Sequence, residues 1–421
     1  MPDFTQIFLA AFIISFGLKL WLALRQMRHV WLHRATPPAA FAASIDAAAH
    51  RKAANYTLAK TRLSLLQIGL DAALLYAFTL GGGLQWLHDG LGAWIAAPLW
   101  QGVFLLLALT ALLSLAELPL SLWRQFRIEQ GYGFNRQTVA GFLADLVKNG
   151  LIGLFLGGGL ILLVLWLMQH MGAAWWLWAW LAWMAFNLIV LAVYPTWIAP
   201  LFNTFTPLAD AALRERIEAL LARTGFASNG IFVMDGSRRT GHGNAYFTGL
   251  GKSKRIVFFD NLLAQLNPAQ VEAVLAHELG HYRRRHIGKR IVFLFGLSLV
   301  FLWALSMLKE AAWFYAGLNV GAQTDALALA LFFLVLPVFT FPLSPLLSLY
   351  SRKHEFEADA FAAVHSQPAD LIDALVSLYR DNAATLTPDP VYSVFYDSHP
   401  KASERIARLA GFGKPAAPVG A

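Results

Sequence analysis

Residues 273–290 read AVLAHELGHYRRRHIGKR, and 291–308 continue as IVFLFGLSLVFLWALSML. On a helix, residues four apart share a face, so His277 and His281 can present two imidazoles to one metal ion. Glu278 lies between them, placed to take a proton from water. The next eighteen residues are apolar enough to enter a bilayer. A candidate hydrolytic metal centre therefore stands at the mouth of a membrane segment, and the rest of the chain is read outward from there.

Of the 421 residues, 57% are hydrophobic and 14% charged, against roughly 25% charged in soluble domains. The apolar residues cluster into seven segments, near 6–24, 63–86, 98–122, 147–169, 173–198, 291–308 and 326–349. Each approaches the ~20 residues that cross a bilayer as a helix. The first lacks a basic start and a small-residue cleavage site, so it reads as a span rather than a cleaved signal. Cysteine is absent, so a metal site must be built from His, Asp and Glu. The net charge of +8 is assigned to loops that meet anionic lipid, not to nucleic acid.

Loop charge sets the expected orientation. The loop after the first segment carries Arg25, Arg28, Arg34, Arg51, Lys52, Lys60 and Arg62, and the loop after the third carries Arg124, Arg127 and Arg136. The loops after the second and fourth have no Lys or Arg. The positive-inside rule then puts the N-terminus outside and the C-terminus and metal site on the cytoplasmic side.

These segments divide the chain into a five-helix membrane region (1–198), a first polar segment carrying the HELGH helix (199–290), spans six and seven (291–349), a second polar segment carrying EFEAD (350–410) and a disordered tail (411–421). The expected fold is mainly α, a seven-helix membrane protein whose polar segments form a domain that holds a small β-sheet. Within the polar regions DAALRERIEALLARTGF (210–226) reads as an amphipathic helix. GIFVMDGS (230–237) and RIVFFDNLL (255–263) read as strands. A helix is expected over 267–286, starting near Asn267 or Pro268, and another over 351–365. No internal repeat is visible.

A catalytic zinc takes three protein ligands and leaves a position for water. A third histidine at the extended-motif position fails, because residue 287 is Ile, and His286 is one position off the face. HEFEADAFA (354–362) is the best source. Glu355 and Asp359 are four apart, while Glu357 points away. Glu355 is assigned as ligand, with Asp359 supporting a ligand histidine or moving a proton. The plainer alternative is a solvated acidic face paired with Arg352 and Lys353. Two histidines and a carboxylate also suit non-haem iron, but the glutamate beside His277 favours hydrolysis.

HELGH followed by SRKHEFEADAFA (351–362) resembles the type I CAAX prenyl endopeptidases, membrane zinc proteases of the gluzincin class. FRIEQGYGFNRQT (126–138), APLFNTFTPL (199–208), GHGNAYFTGLGKSKRIVFFDNLL (241–263) and DSHPKASERI (397–406) resemble that family's blocks, in the same order. The likeness spans about residues 20–410. It implies one Zn2+ held by His277, His281 and Glu355, with Glu278 as general base and Asp359 supporting the site. It further implies that His399 stabilises the oxyanion or substrate. Asn244 and Ala245 would lie on an edge-strand segment that pairs with substrate backbone, a known mode of peptide capture. A peptide or protein substrate, lipidated or membrane-associated, and a chamber enclosed by the seven helices are implied too. Glu117, Asp71 and Asn187, within or near apolar segments, are compatible with such an interior.

Two rivals remain at this stage. A transporter would suit seven helices and intramembrane polar residues but leaves both metal motifs unexplained. A quality-control protease of the HtpX type shares the zinc motif, while seven spans and the FNRQT and SHP blocks favour the prenyl-endopeptidase type.

Overall fold

The computed structural model describes residues 2–248 and 254–412. The membrane region begins with α1 (Pro2–Leu32), α2 (Ala47–Phe78), α3 (Gly83–Gly92), α4 (Pro98–Trp123), α5 (Val139–Ile152), α6 (Gly158–His170) and α7 (Trp175–Val193). A compact region follows: β1 (Phe205–Pro207), α8 (Ala211–Thr224), β2 (Ile231–Met234), β3 (Ala245–Thr248), β4 (Arg255–Phe259), α9 (Asp260–Gln265) and α10 (Pro268–Arg283). The chain then passes through α11 (His286–Lys309), α12 (Ala312–Ala316), α13 (Asp325–Thr340), α14 (Ser344–His365), α15 (Pro368–Asp381), α16 (Pro390–Tyr396) and α17 (Ala402–Phe412).

Among the described residues, six helical segments are long and apolar enough to span a membrane. A seventh arises if α2 and α3, bent by 53° at the break between them, act as one span. The spans bury little of their surface against protein, as helices in lipid should. The exception is the span that begins with α13, half buried and central to the bundle core through Leu327, Leu331 and Val335. Thr5 donates to the Gly317 carbonyl (2.9 Å) and Asn319 to the Leu80 carbonyl (2.9 Å). Those contacts gather the start of α1, the α2–α3 bend and the α12–α13 loop at one end of the bundle. Arg25, toward the other end of α1, pairs with Asp389 at 2.8 Å, so the compact region sits at the opposite end.

The compact region holds a four-stranded sheet in the order β1-β2-β4-β3. β2 and β4 run parallel, and β3 pairs antiparallel to β4 at the edge. Its core is formed by α8, the sheet, α10, α14 and α15 around Ile217, Phe258, Leu275 and Leu371. The second expected strand is shorter than its apolar run, because Asp260 begins α9 instead. The Asp260 carboxylate accepts the Asn261 N–H at 2.8 Å, one of the local bonds by which Asp favours helix starts over strand interiors.

α10 begins as the sequence predicts. The Asn267 side chain accepts the Gln270 N–H (2.9 Å), the Gln270 side chain accepts the Asn267 N–H (3.0 Å), and Pro268 fills the first helical position. This is a capping box. Val271, Leu275 and Leu279, four apart, are each 1% exposed, and such burial contributes roughly 1.5–3 kcal/mol per side chain. The helix expected over 267–286 is broken near its end: Arg285 adopts a left-handed conformation (φ 56°) and α11 starts at His286. α14 likewise starts at Ser344, upstream of the expected 351, and runs unbroken through residue 350. Both motif helices are thus joined directly to membrane spans. α17 extends through Phe412, so residues 411 and 412 are helical rather than tail, and 413–421 lie outside the described residues.

Two cavities open along the spans. One, about 790 Å³, lies between α2, α4 and the C-terminal segment, with Glu117 and His399 on its wall. The other, about 1180 Å³ and apolar, lies among α4, α6, α7, α11 and α13, with Asn187 and Thr248 on its wall. Asp71 is exposed and accepts from Gln67 at 2.7 Å.

Candidate metal centre

α10 packs along α14, and the two motifs meet there. His277 Nε2 lies 3.2 Å from His281 Nε2, His281 Nε2 lies 3.3 Å from Glu355 Oε1, and His277 Nε2 lies 3.5 Å from Glu355 Oε2. A tetrahedral site with ligands at ~2.0–2.1 Å has edges of about 3.3 Å, so the three groups already stand at the spacing a metal ion requires. His277 and Glu355 are buried. Glu355 Oε2 is fully buried and has no hydrogen-bond partner. Arg405 Nη1 stands 3.7 Å away, beyond hydrogen-bond reach. A buried carboxylate oxygen without a hydrogen bond is costly, and a metal cation among the three groups would satisfy it. The donor set therefore fits the metal that the sequence predicts.

Asp359 is 1% exposed. It faces His277 Nδ1 at 2.9 Å and is clamped by Arg405, whose Nε and Nη2 donate at 2.8 and 2.6 Å. Burial acts to lower the His277 pKa, but hydrogen bonds to Asp359 and Glu355 outweigh it and push the value up to about 9. Burial acts to lower the Arg405 pKa as well, and the bond to Asp359 raises it, so the guanidinium stays charged. Glu278 is half-buried beside His277 on α10.

His399 Nε2 comes within 3.5 Å of Glu355 Oε1, although the residue follows the ligand helix by more than thirty positions. Its side chain is 62% accessible because it faces the polar cavity. The walls still remove it from bulk water, which lowers its pKa, and the Glu355 carboxylate opposes that shift. Ser398 Oγ lies 3.0 Å from Nδ1. With the hydroxyl donating, Nε2 carries the proton and is free to donate.

β3 packs against α10 and forms the sheet edge. The Asn244 carbonyl accepts the Phe259 N–H at 2.9 Å. By antiparallel alternation, Ala245 and Phe247 turn their own N–H and C=O toward the open edge. The Asn244 side chain meanwhile accepts the Ala245 N–H at 2.8 Å. Residues 249–253 of the same block lie outside the described residues.

Three neighbours have no role in the site that the sequence predicts: Arg405, His286 and Glu357. Arg405 falls within DSHPKASERI but carries no spacing signal toward Asp359. His286 was set aside because it is off the ligand face, yet its ring lies 3.0 Å from His281 Nδ1.

The fold and site define a multi-pass membrane metallopeptidase. A family model described as CAAX prenyl protease N-terminal, five membrane helices, matches residues 26–204, and one described as Peptidase family M48 matches 207–412. The CAAX prenyl protease 1 of Saccharomyces cerevisiae is 34% identical over 73% of this chain and 72% of its own. The human CAAX prenyl protease 1 homolog is 29% identical over 97% and 96%. The crystal structure of S. mikatae Ste24p superposes with a TM-score of 0.90 at 29% identity, covering 96% of this chain and 99% of that one. The chain belongs to the M48 peptidase family, in its CAAX prenyl protease branch. It is an integral membrane metalloendopeptidase, which decides against the transporter reading.

Proposed function

We propose that this peptidase uses one zinc ion, held by His277, His281 and Glu355, to cleave a prenylated, CAAX-type C-terminal peptide at the membrane surface. The observation that carries the reading is the cluster of the two imidazole Nε2 atoms and the Glu355 carboxylate, 3.2–3.5 Å from one another, beside Glu278. Two imidazoles and one carboxylate converging in this way favour zinc. A zinc ion held there would supply Lewis acidity, acidifying the attacking water and polarising the scissile carbonyl. Glu278 takes the proton from that water and passes it to the leaving amine. His399 donates from Nε2 to the oxygen on which negative charge develops. Asp359, locked by Arg405, holds the His277 ring with its Nδ1 proton satisfied.

The substrate backbone pairs with the open edge at Ala245 and Phe247 and displaces the Asn244 side chain from the Ala245 N–H. The relatives' names support a prenylated CAAX substrate. So does the apolar cavity, whose wall includes Thr248 at the end of β3. The loop charges support a cytoplasmic site and an external N-terminus, and the compact region lies at the end of the bundle remote from Thr5.

The test is cleavage of a farnesylated CAAX peptide and its unprenylated twin by the purified chain in detergent, read by mass spectrometry. Removal of the last three residues, preferentially from the farnesylated peptide, is expected. Equal cleavage of both would replace CAAX specificity with a general quality-control role. Glu278→Gln should keep its metal and lose roughly 10²–10⁴-fold in rate, and cleavage at the wild-type rate would remove Glu278 from the mechanism.

A further inference from the structure

An imidazole that ligates a metal through Nε2 carries its proton on Nδ1, and that proton needs an acceptor. Asp359 serves His277. Among the described residues no carboxylate faces His281 Nδ1: that atom faces the Nδ1 of His286 at 3.0 Å, and His286 Nε2 faces Glu357 Oε2 at 3.0 Å. We infer that His286 and Glu357 form a positioning relay that fixes His281 in its Nδ1–H tautomer and so presents the Nε2 lone pair to the metal. The inference rests on the metallopeptidase reading and deepens it.

The hydrogen-bond polarity follows from the chemistry of the three groups. An ionised Glu357 only accepts, so His286 donates to it from Nε2. A neutral His286 then has a bare Nδ1, which accepts the His281 Nδ1–H. The reverse polarity would place a proton on His281 Nε2, the atom 3.3 Å from Glu355 Oε1, and close the ligand position. The ring that relays this choice is held firmly. The His286 side chain is 4% accessible, stacked on His354 with centroids 3.9 Å apart and planes 10° from parallel. His354 in turn meets Tyr350 edge-on at 4.3 Å. The left-handed Arg285 is the joint that swings His286 out of the α10 register. His286 opens α11, and Glu357 lies two residues beyond Glu355 on α14. The relay thus ties one ligand to both helices that lead into the membrane.

The test is Zn2+ affinity of the full-length chain in detergent, measured by competition with a chromophoric chelator. Wild type must bind; failure to bind would sink the metallopeptidase reading itself. His286→Leu removes the acceptor and is expected to weaken binding about 10–100-fold. His286→Asn places Oδ1 near the lost Nδ1 and should recover affinity to within about threefold of wild type. A role in packing alone predicts no such rescue, so an Asn variant as weak as the Leu variant overturns the relay. Wild-type affinity in His286→Leu does the same. Should His286→Leu fail to fold, Glu357→Leu decides: a loss of about tenfold is expected, and unchanged affinity refutes the inference.

Discussion

Gly280 packs directly against the backbone of Ala358, between the two helices that carry the site. A methyl group on Gly280 would sit 2.8 Å from the Ala358 Cα and 3.0 Å from its carbonyl oxygen. Gly280 lies between His277 and His281, and Ala358 lies one turn after Glu355, so this contact sets the width of the ligand triangle. Gly280→Ala should push the helices apart by tenths of an ångström. The expected cost is about 1–3 kcal/mol of overpacking and a metal affinity at least tenfold weaker. Thermal unfolding and chelator competition read the two effects. Wild-type affinity would show that the contact does not govern the ligand spacing.

Arg405 and Asp359 form a buried, two-pronged ion pair, with Arg405 6% exposed and Asp359 1%. Arg405→Leu strands the carboxylate and should cost about 3–5 kcal/mol. Replacing both, Arg405→Met with Asp359→Leu, should destabilise by clearly less than the sum of the two single changes, because no charge is left alone. Urea unfolding in detergent makes the comparison, and strict additivity would mean the pair is not coupled.

In the metal-free protein His277 is raised from the usual ~6.5 to about 9. A raised pKa means that the folded state holds the proton more tightly than the unfolded chain. This contribution to stability is therefore full below pH ~6.5 and is lost as pH rises through about 9. The same proton competes with the metal for the ring. Apparent affinity should rise by about tenfold per pH unit from near neutrality toward pH 9. Chelator competition across that range should show the slope, and a flat profile would contradict the shift.

The Ala245 N–H faces away from β4, so Ala245→Pro removes a donor without breaking the sheet ladder. Unchanged folding is expected, with kcat/KM for an extended peptide lowered at least tenfold, since one main-chain bond to the substrate is lost. Ala245→Gly, which keeps the N–H, should stay within about threefold of wild type. Equal rates for the two variants would show that the strand edge does not hold substrate.

Much of the architecture was legible in the chain because its signals are local. Apolar runs of about 20 residues mark the spans, and Asn267 and Pro268 mark the start of α10. His277 and His281 share a face because the helix repeats every 3.6 residues. The spacing of Glu355 and Asp359 likewise put both carboxylates on one helix face. The misjudged edges were those where a local preference was overruled. Asp260 ended a strand that its apolar neighbours would have continued, and Arg285 ended a helix without a glycine to announce it.

Sequence alone determined which residue types a metal centre in this chain would use, and that it would stand where a polar segment meets an apolar span. Only the tertiary structure decided how far apart they stand, because that distance depends on the packing of Gly280 against Ala358. It alone brought Arg405 to Asp359 and His286 and Glu357 to His281. Hydrogen bonds between such distant positions have no periodicity for a sequence to display: they arise when separate helices are pressed together. The candidate ligands are written in the helix repeat, and the side chains that meet them are written in the packing.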